Sequence, residues 1–356
     1  MSTYIERNNF TIEVEEPELY VDNNTRGRSG HMTHGLAEFA PGCFIDFNSN
    51  CSPVRWSGHS PYGWVEYRIS RDAGKTYSEI KKLPYSVDSF LDGLYMISVE
   101  AAVACDDGSI VAFCLKNDGL GPTCCEPWDT PMYVRSTDEG ETWSEAVEFS
   151  PYKGRTYDAL YVDGTIYVLH VCNERFEGKT EDHKYRIYSS TDNGLTFSEY
   201  CVVPIDPIGR NYGTMLYDKD GVLHVYAHNE GANFDFDHAT SRDMGKTWEV
   251  TTTHLDKGCR NPHVGLVDGV YIMHGRSEDY EGLVMYTSED GQNWDEGTIL
   301  VHNKGAAAFY SNNLNLTDEK GNFLLVQYSD RYFCDRFKTQ ANCRVNVMHT
   351  KVRVKK

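Results

Sequence analysis

Ser136-Thr137-Asp138-Glu139-Gly140-Glu141-Thr142-Trp143 decides the fold of this chain, because the pattern returns four more times. Ser70-Arg71-Asp72-Ala73-Gly74-Lys75-Thr76-Tyr77 precedes it. Ser190-Thr191-Asp192-Asn193-Gly194-Leu195-Thr196-Phe197 and Ser241-Arg242-Asp243-Met244-Gly245-Lys246-Thr247-Trp248 follow. A shortened copy, Ser288-Glu289-Asp290-Gly291-Gln292-Asn293-Trp294, lacks one residue before its glycine. The aspartates are 66, 54, 51 and 47 residues apart, a period that signals a repeat architecture. Ser and Asp side chains bond backbone N–H groups just ahead of them, and Gly supplies the left-handed position. The aromatic that ends each copy starts the next strand and can pack between units. Each copy therefore reads as a hairpin turn between the outer strands of a blade, a scaffold element and not an active site.

A second repeat lies between these turns. Strand, glycine turn and strand recur at Leu36–Phe47 around Gly42, Val99–Leu115 around Gly108, and Tyr157–Cys172 around Gly164. Three more copies are Tyr212–His228 around Gly221, Pro262–His274 around Gly269, and Asn313–Tyr328 around Gly321. An inner hairpin, a connection and an outer hairpin make a four-stranded blade. The expectation is an all-β, six-bladed β-propeller of antiparallel blades occupying residues 1–356 as one domain. The sixth blade runs from about Ala308 to the alternating segment Arg344–Val354. The spare segment Phe10–Val14 is expected to add a strand to it and close the ring. Asn48–Tyr62 and Lys116–Thr130 are unusually long connections, and such loops are often functional.

Composition narrows the function. Aromatics make up 13% of the 356 residues, with 24 tyrosines, which favours strands. A formal net charge of −19 argues against nucleic acid as the main partner and requires a locally basic pocket for any anionic substrate. No apolar run reaches the about 18 residues of a membrane span. Met1–Arg7 has neither the basic nor the apolar region of a signal peptide, so the reading is cytoplasmic. The 11 cysteines, an odd number sited mostly in strands (Cys43, Cys105, Cys114, Cys172, Cys201), suit reduced thiols. Adjacent Cys124 and Cys125 lack metal-ligand spacing. His31 and His34 would point to opposite faces of a strand, and Asp235-Phe236-Asp237 reads as a solvated loop. No metal or cofactor is expected, and the sequence carries no signal for oligomeric state.

In a propeller the innermost strands converge on the axis, so residues at their starts and at the ends of their partners share one mouth. The starts offer Arg28, His31, His34, Glu100, Arg155, Tyr157, Asp158, Arg210, Tyr212, Arg260, Asn261, His263, Tyr310 and Ser311. The partner-strand ends offer Asn48, Lys116, His170, His228, Arg276, Tyr328 and Asp330. The planar arginine fork matches a carboxylate. Arg155, Arg210, Arg260 and Arg276 at one mouth therefore point to an anionic sugar held in a cationic cup. The competing reading is that these arginines pair with acids of neighbouring blades.

Five such turns on a six-unit propeller resemble the Asp-box repeats of the sialidase (neuraminidase) superfamily over nearly the whole chain. The resemblance implies a glycosidase with arginines on the substrate carboxylate, a tyrosine nucleophile polarised by a glutamate, and an aspartate acid/base. Phe309-Tyr310-Ser311-Asn312-Asn313-Leu314 resembles the family's Tyr-Ser-Asp-Leu segment, which makes Tyr310 the candidate nucleophile, and Arg276 resembles the third arginine. Elsewhere the chain departs. His31-Met32-Thr33-His34 stands where an Arg-Ile-Pro segment is expected, and Trp56-Ser57-Gly58-His59 stands on the loop of the acid. Tyr212 and His228 stand where the family has its glutamate and second arginine. Histidine titrates near neutrality and serves as acid or base. The candidate catalytic residues are Tyr310, His59, His34, Tyr212 and His228. The candidate substrate-binding residues are Arg276, Arg210, Arg260, Arg155, His31, Glu100 and His170. The reading is a glycoside hydrolase acting at a sialic- or uronic-acid-like sugar. Tyr, His and Arg also suit β-elimination by a uronate lyase, and a non-catalytic glycan-binding propeller is the third possibility.

Overall fold

The structure, a computed structural model, describes residues 2–30, 34–53, 63–93, 95–118, 129–174, 179–278, 282–302, 309–330 and 344–356. Six antiparallel sheets form the six blades of a β-propeller. Their innermost strands are His34–Ala40, Tyr95–Ala104, Arg155–Val162, Arg210–Tyr217, Arg260–Val267 and Ser311–Asp318. Each lies against the next, and the sixth closes against the first. None of the helices in the described residues is long and apolar enough to cross a membrane.

The Ser/Asp turns do what their side chains dictate. The Ser136 hydroxyl accepts the Gly140 N–H at 2.8 Å, and Asp138 accepts the Thr142 N–H at 2.8 Å and its hydroxyl at 2.6 Å. In the shortened copy Asn293 takes the threonine's place, donating to Asp290 from backbone and side chain at 2.8 and 2.7 Å. The missing residue is the left-handed one before the glycine, which the other four copies supply with Ala73, Glu139, Asn193 and Met244 at φ 54–58°. The aromatic that follows packs on the preceding blade. Trp143 donates to Tyr67 Oη at 3.2 Å, and Phe197 lies 4.8 Å from the Tyr133 ring. Each such half-buried aromatic contributes on the order of 1–2 kcal/mol to blade stacking.

Thr11–Val14 pairs with Val347–Lys355, closing the ring as expected. The N-terminus supplies more than that one strand. Thr3–Glu6 extends the sheet, and Glu18–Val21 pairs with the other half of Val347–Lys355. Buried Arg353 fastens this closure, bonding Asp318 at 2.6 Å and Glu15 at 3.0 Å. His349 reaches across to blade one, with Asp46 at 2.9 Å and Tyr77 at 3.0 Å. The helix Pro84–Gly93, between blades one and two, was not legible as a helix. Its proline opens it without losing a needed N–H, and Gly93 ends it. Asp235 and Asp237 open the strand Asp235–Ser241 rather than forming a loop. The described cysteines Cys43, Cys51, Cys105, Cys114, Cys172, Cys201 and Cys259 are all free thiols.

Candidate functional site

Four successive blades break register along the innermost strand, three of them at its start and the second blade midway along it. The shifts fall at Val99/Ala101, Thr156/Asp158, Asn211/Gly213 and Arg260/His263. The displaced residues are Glu100, Tyr157, Tyr212 and the pair Asn261-Pro262. A bulge re-aims the extra side chain, and here it happens at one end of the axis in each case. Tyr212 and Asn261 have φ of 57° and 54°, and Phe309, just before Tyr310, has 70°. A bulky side chain holds a left-handed backbone only where its surroundings enforce it.

The bulges assemble one cluster. Arg155 makes a two-pronged ion pair with Glu100, Nε to Oε2 at 2.6 Å and Nη2 to Oε1. Its guanidinium lies 5.1 Å from the Tyr157 and Tyr212 ring centroids and 6.0 Å from that of Tyr310. All five residues are buried. Burial works against the Arg155 charge, but Glu100 outweighs it and holds the guanidinium ionised; burial also pushes the Glu100 carboxyl up, against the pull of Arg155. The tyrosine faces supply further stabilisation of the cation.

Blade five extends the cluster. Arg260 and Arg276 are register partners on adjacent strands. Arg260 lies 5.7 Å from the Tyr212 ring and bonds Glu230 at 2.9 Å. His228 Nε2 lies 2.6 Å from Glu278 Oε1. Burial alone would raise the Glu278 carboxyl, but the His228 hydrogen bond and the Arg260 and Arg276 charges hold it below its ordinary value. Burial lowers the His228 pKa from its ordinary value, with Glu278 opposing. The expected cationic cup is therefore corrected. Arg155, Arg260 and Arg276 face Glu100, Glu230 and Glu278, so charge is balanced within the cluster.

Not every expected residue arrives. Arg210 turns along its own blade to Asp237 and the Ile208 carbonyl, the latter at 3.2 Å. His170 donates its Nε2–H to the Tyr152 carbonyl at 3.0 Å and packs between Phe149 and Tyr188. A donated Nε2–H to that carbonyl is the consistent tautomer. His34 sits beside the Tyr310 backbone, but its nitrogens meet Ser329 at 3.0 Å and Gln327 at 3.1 Å. Burial pulls its pKa down to about 3. With both nitrogens engaged, His34 positions its neighbours and does not fit an acid/base role. His31 and His59 lie outside the described residues. Sequence reasoning passed over Glu278, although it stands two residues after Arg276, the spacing of one strand face. It placed Tyr157 at the mouth but gave it no role.

Beyond the cluster, toward the other end of the innermost strands, the axis widens into a cavity of about 400 Å³. Asp158 and His263 lie on its wall. Asp158 accepts from Thr214 Oγ1 and Met215 N at 2.8 Å each, and burial raises its pKa to about 6. Among the described residues, no group of three or more His, Cys, Asp or Glu could hold a metal ion.

Residues 129–331 match the family described as the BNR repeat-like domain. A sialidase of Paraclostridium sordellii is 25% identical over 266 residues, 68% of this chain and 63% of the relative, so the chain spans less than two thirds of that protein. A protein of unknown function from Dyadobacter fermentans superposes with a TM-score of 0.69 at 14% identity, covering 97% of this chain and 99% of that one. A mutant of the NanB sialidase from Streptococcus pneumoniae gives 0.66 at 12%, over 91% and 68%. Trypanosoma rangeli sialidase in complex with sialic acid gives 0.61 at 12%, over 99% and 58%. At these identities the structural likeness concerns the fold.

Proposed function

This chain belongs to the BNR repeat-like family and is a six-bladed propeller of the sialidase superfamily, and from that premise we propose that it is a glycosidase cleaving a bond at an acidic sugar. The observation that carries the reading is the convergence of Tyr310 with Arg155, Glu100, Tyr212, Arg260 and Arg276 at one mouth of the axis. Tyr310 is assigned as nucleophile toward an oxocarbenium-like transition state. The Arg155 charge beside its ring favours negative charge developing on the phenol oxygen. Arg260 and Arg276, side by side on one hairpin, are assigned to the sugar carboxylate. Proton transfer falls to His59, on the loop where the family carries its acid, or to the His228–Glu278 pair.

A lyase reading draws on the same site. Each glutamate there is engaged, Glu100 with Arg155, Glu230 with Arg260 and Glu278 with His228, which leaves tyrosine and histidine as the proton-transfer groups. Purified protein should release the fluorophore from an aryl sialoside or an aryl glucuronide, and Tyr310→Phe should lower that turnover on the order of a hundredfold or more. An ultraviolet-absorbing unsaturated uronate would establish elimination instead. Saccharide binding without turnover, unchanged in Tyr310→Phe, would leave a binding propeller.

A further inference from the structure

Three asparagines at the mouth end of the propeller link neighbouring strands. Asn50 donates to Glu66 at 2.6 Å within blade one. Asn173 donates to the Arg210 carbonyl at 2.6 Å and to Asn211 Oδ1 at 3.3 Å, joining blades three and four. Asn312 donates to the His34 and Glu100 carbonyls at 2.7 and 2.9 Å, joining blade six to blades one and two. Asn261 departs from this pattern. It follows Arg260 as Asn211 follows Arg210, and it is only 6% exposed. Its side-chain oxygen is buried and meets no donor among the described residues. A buried amide left in this way costs free energy and ordinarily has a partner.

The backbone carries a second, independent cost. Asn261 has φ of 54° and stands directly before Pro262, whereas a residue ahead of proline is pushed toward extended conformations. The register shift between Arg260 and His263 displaces the two residues together. Strain of this kind persists only where the surroundings impose it, and it gathers at ligand sites. Tyr212 shows what such a position does here. It has φ of 57°, is displaced by the bulge of blade four, and sets its ring 5.1 Å from the Arg155 guanidinium. Asn261 is next to Arg260, which lies 5.7 Å from that ring and is the register partner of Arg276. An uncharged amide beside two arginines suits an uncharged oxygen close to a carboxylate. The guanidinium groups take the charge, and the amide meets a hydroxyl, which can donate to its oxygen or accept from its nitrogen.

Resting on the glycosidase reading of this mouth, we propose that Asn261 is a specificity-determining residue, its amide hydrogen-bonded to a hydroxyl of the acidic sugar whose carboxylate Arg260 and Arg276 hold. Asn261→Gly separates this role from a structural one. Glycine adopts φ of 54° freely, and the substitution removes the unpartnered amide, so the melting temperature is expected to equal or exceed that of the unmodified protein. KM is measured on whichever of the aryl sialoside and the aryl glucuronide the protein cleaves. It should rise about three- to tenfold, the worth of one uncharged hydrogen bond, while kcat stays within about twofold. A lower melting temperature overturns the proposal, because Asn261 would then serve the fold. An unchanged KM overturns it as well, because the amide would then touch no substrate. Both outcomes are read against an active unmodified protein and leave the glycosidase reading in place. An unmodified protein inert toward both glycosides removes that reading, and the role of Asn261 with it.

Discussion

Glu100 is what lets Arg155 keep a full charge where water hardly reaches it. Its two oxygens meet two guanidinium nitrogens, and both side chains are less than a tenth exposed. A buried pair is weak evidence of net stability, because desolvation offsets much of the attraction, but removing one partner strands the other. Glu100→Gln is therefore expected to cost about 3–5 kcal/mol in urea unfolding. Replacing both residues with apolar ones of similar volume should recover most of that loss. An unchanged urea midpoint in Glu100→Gln would show that Arg155 finds another anion. The same logic explains why Arg210, expected at the mouth, is not there: Asp237 on its own blade satisfies it first.

Elements in this protein are joined through their turns as much as through their strands. Gly194 and Gly164 have nearly equal φ, 79° and 78°, so an alanine at either pays the left-handed penalty of roughly 1–2 kcal/mol. They differ in surroundings. A Cβ on Gly194 would come within 2.5 Å of Val111 Cγ2 on the preceding blade, while a Cβ on Gly164 meets nothing within 4 Å. Thermal denaturation should rank Gly194→Ala as clearly the less stable of the two. Equal melting temperatures would mean that the Ser/Asp turn does not seat against its neighbour as tightly as the packing indicates. At this scale the hairpins, the turns and the closing strand were legible, because each rests on a short local pattern. The helix Pro84–Gly93 was not, since it follows no repeat of the other blades. The bulges at Glu100, Tyr157 and Tyr212 were hidden too, because an extra residue in one strand shows only against its partner.

Across the whole molecule, burial of histidines sets the response to acid. His34, His170 and His263 are each pulled down to about 3 by burial, from an ordinary 6.5. The unfolded chain takes up protons at these residues that the folded one refuses. Their contribution to stability is thus complete above about 6.5 and declines as pH falls toward 3. Asp158, raised from 3.8 to about 6, works in the opposite sense over a narrower span. Three larger shifts outweigh one smaller one. The urea midpoint should accordingly fall as pH is lowered from neutrality, and His263→Gln should flatten that decline. A midpoint that rises on acidification would contradict the burial of these imidazoles.

By itself, the sequence determined the repeat, the count of six blades, the chemistry of the five turns and the N-terminal closure. Those depend on residues within a few positions of one another, or on a periodic pattern that any window reveals. The tertiary structure alone decided which charges at the mouth are already answered. Glu100 and Arg155, Glu230 and Arg260, and His228 and Glu278 are 55, 30 and 50 residues apart. Pairs so far apart meet only when separate strands are brought together, and no local rule tells an arginine that will face a ligand from one that will face an acid.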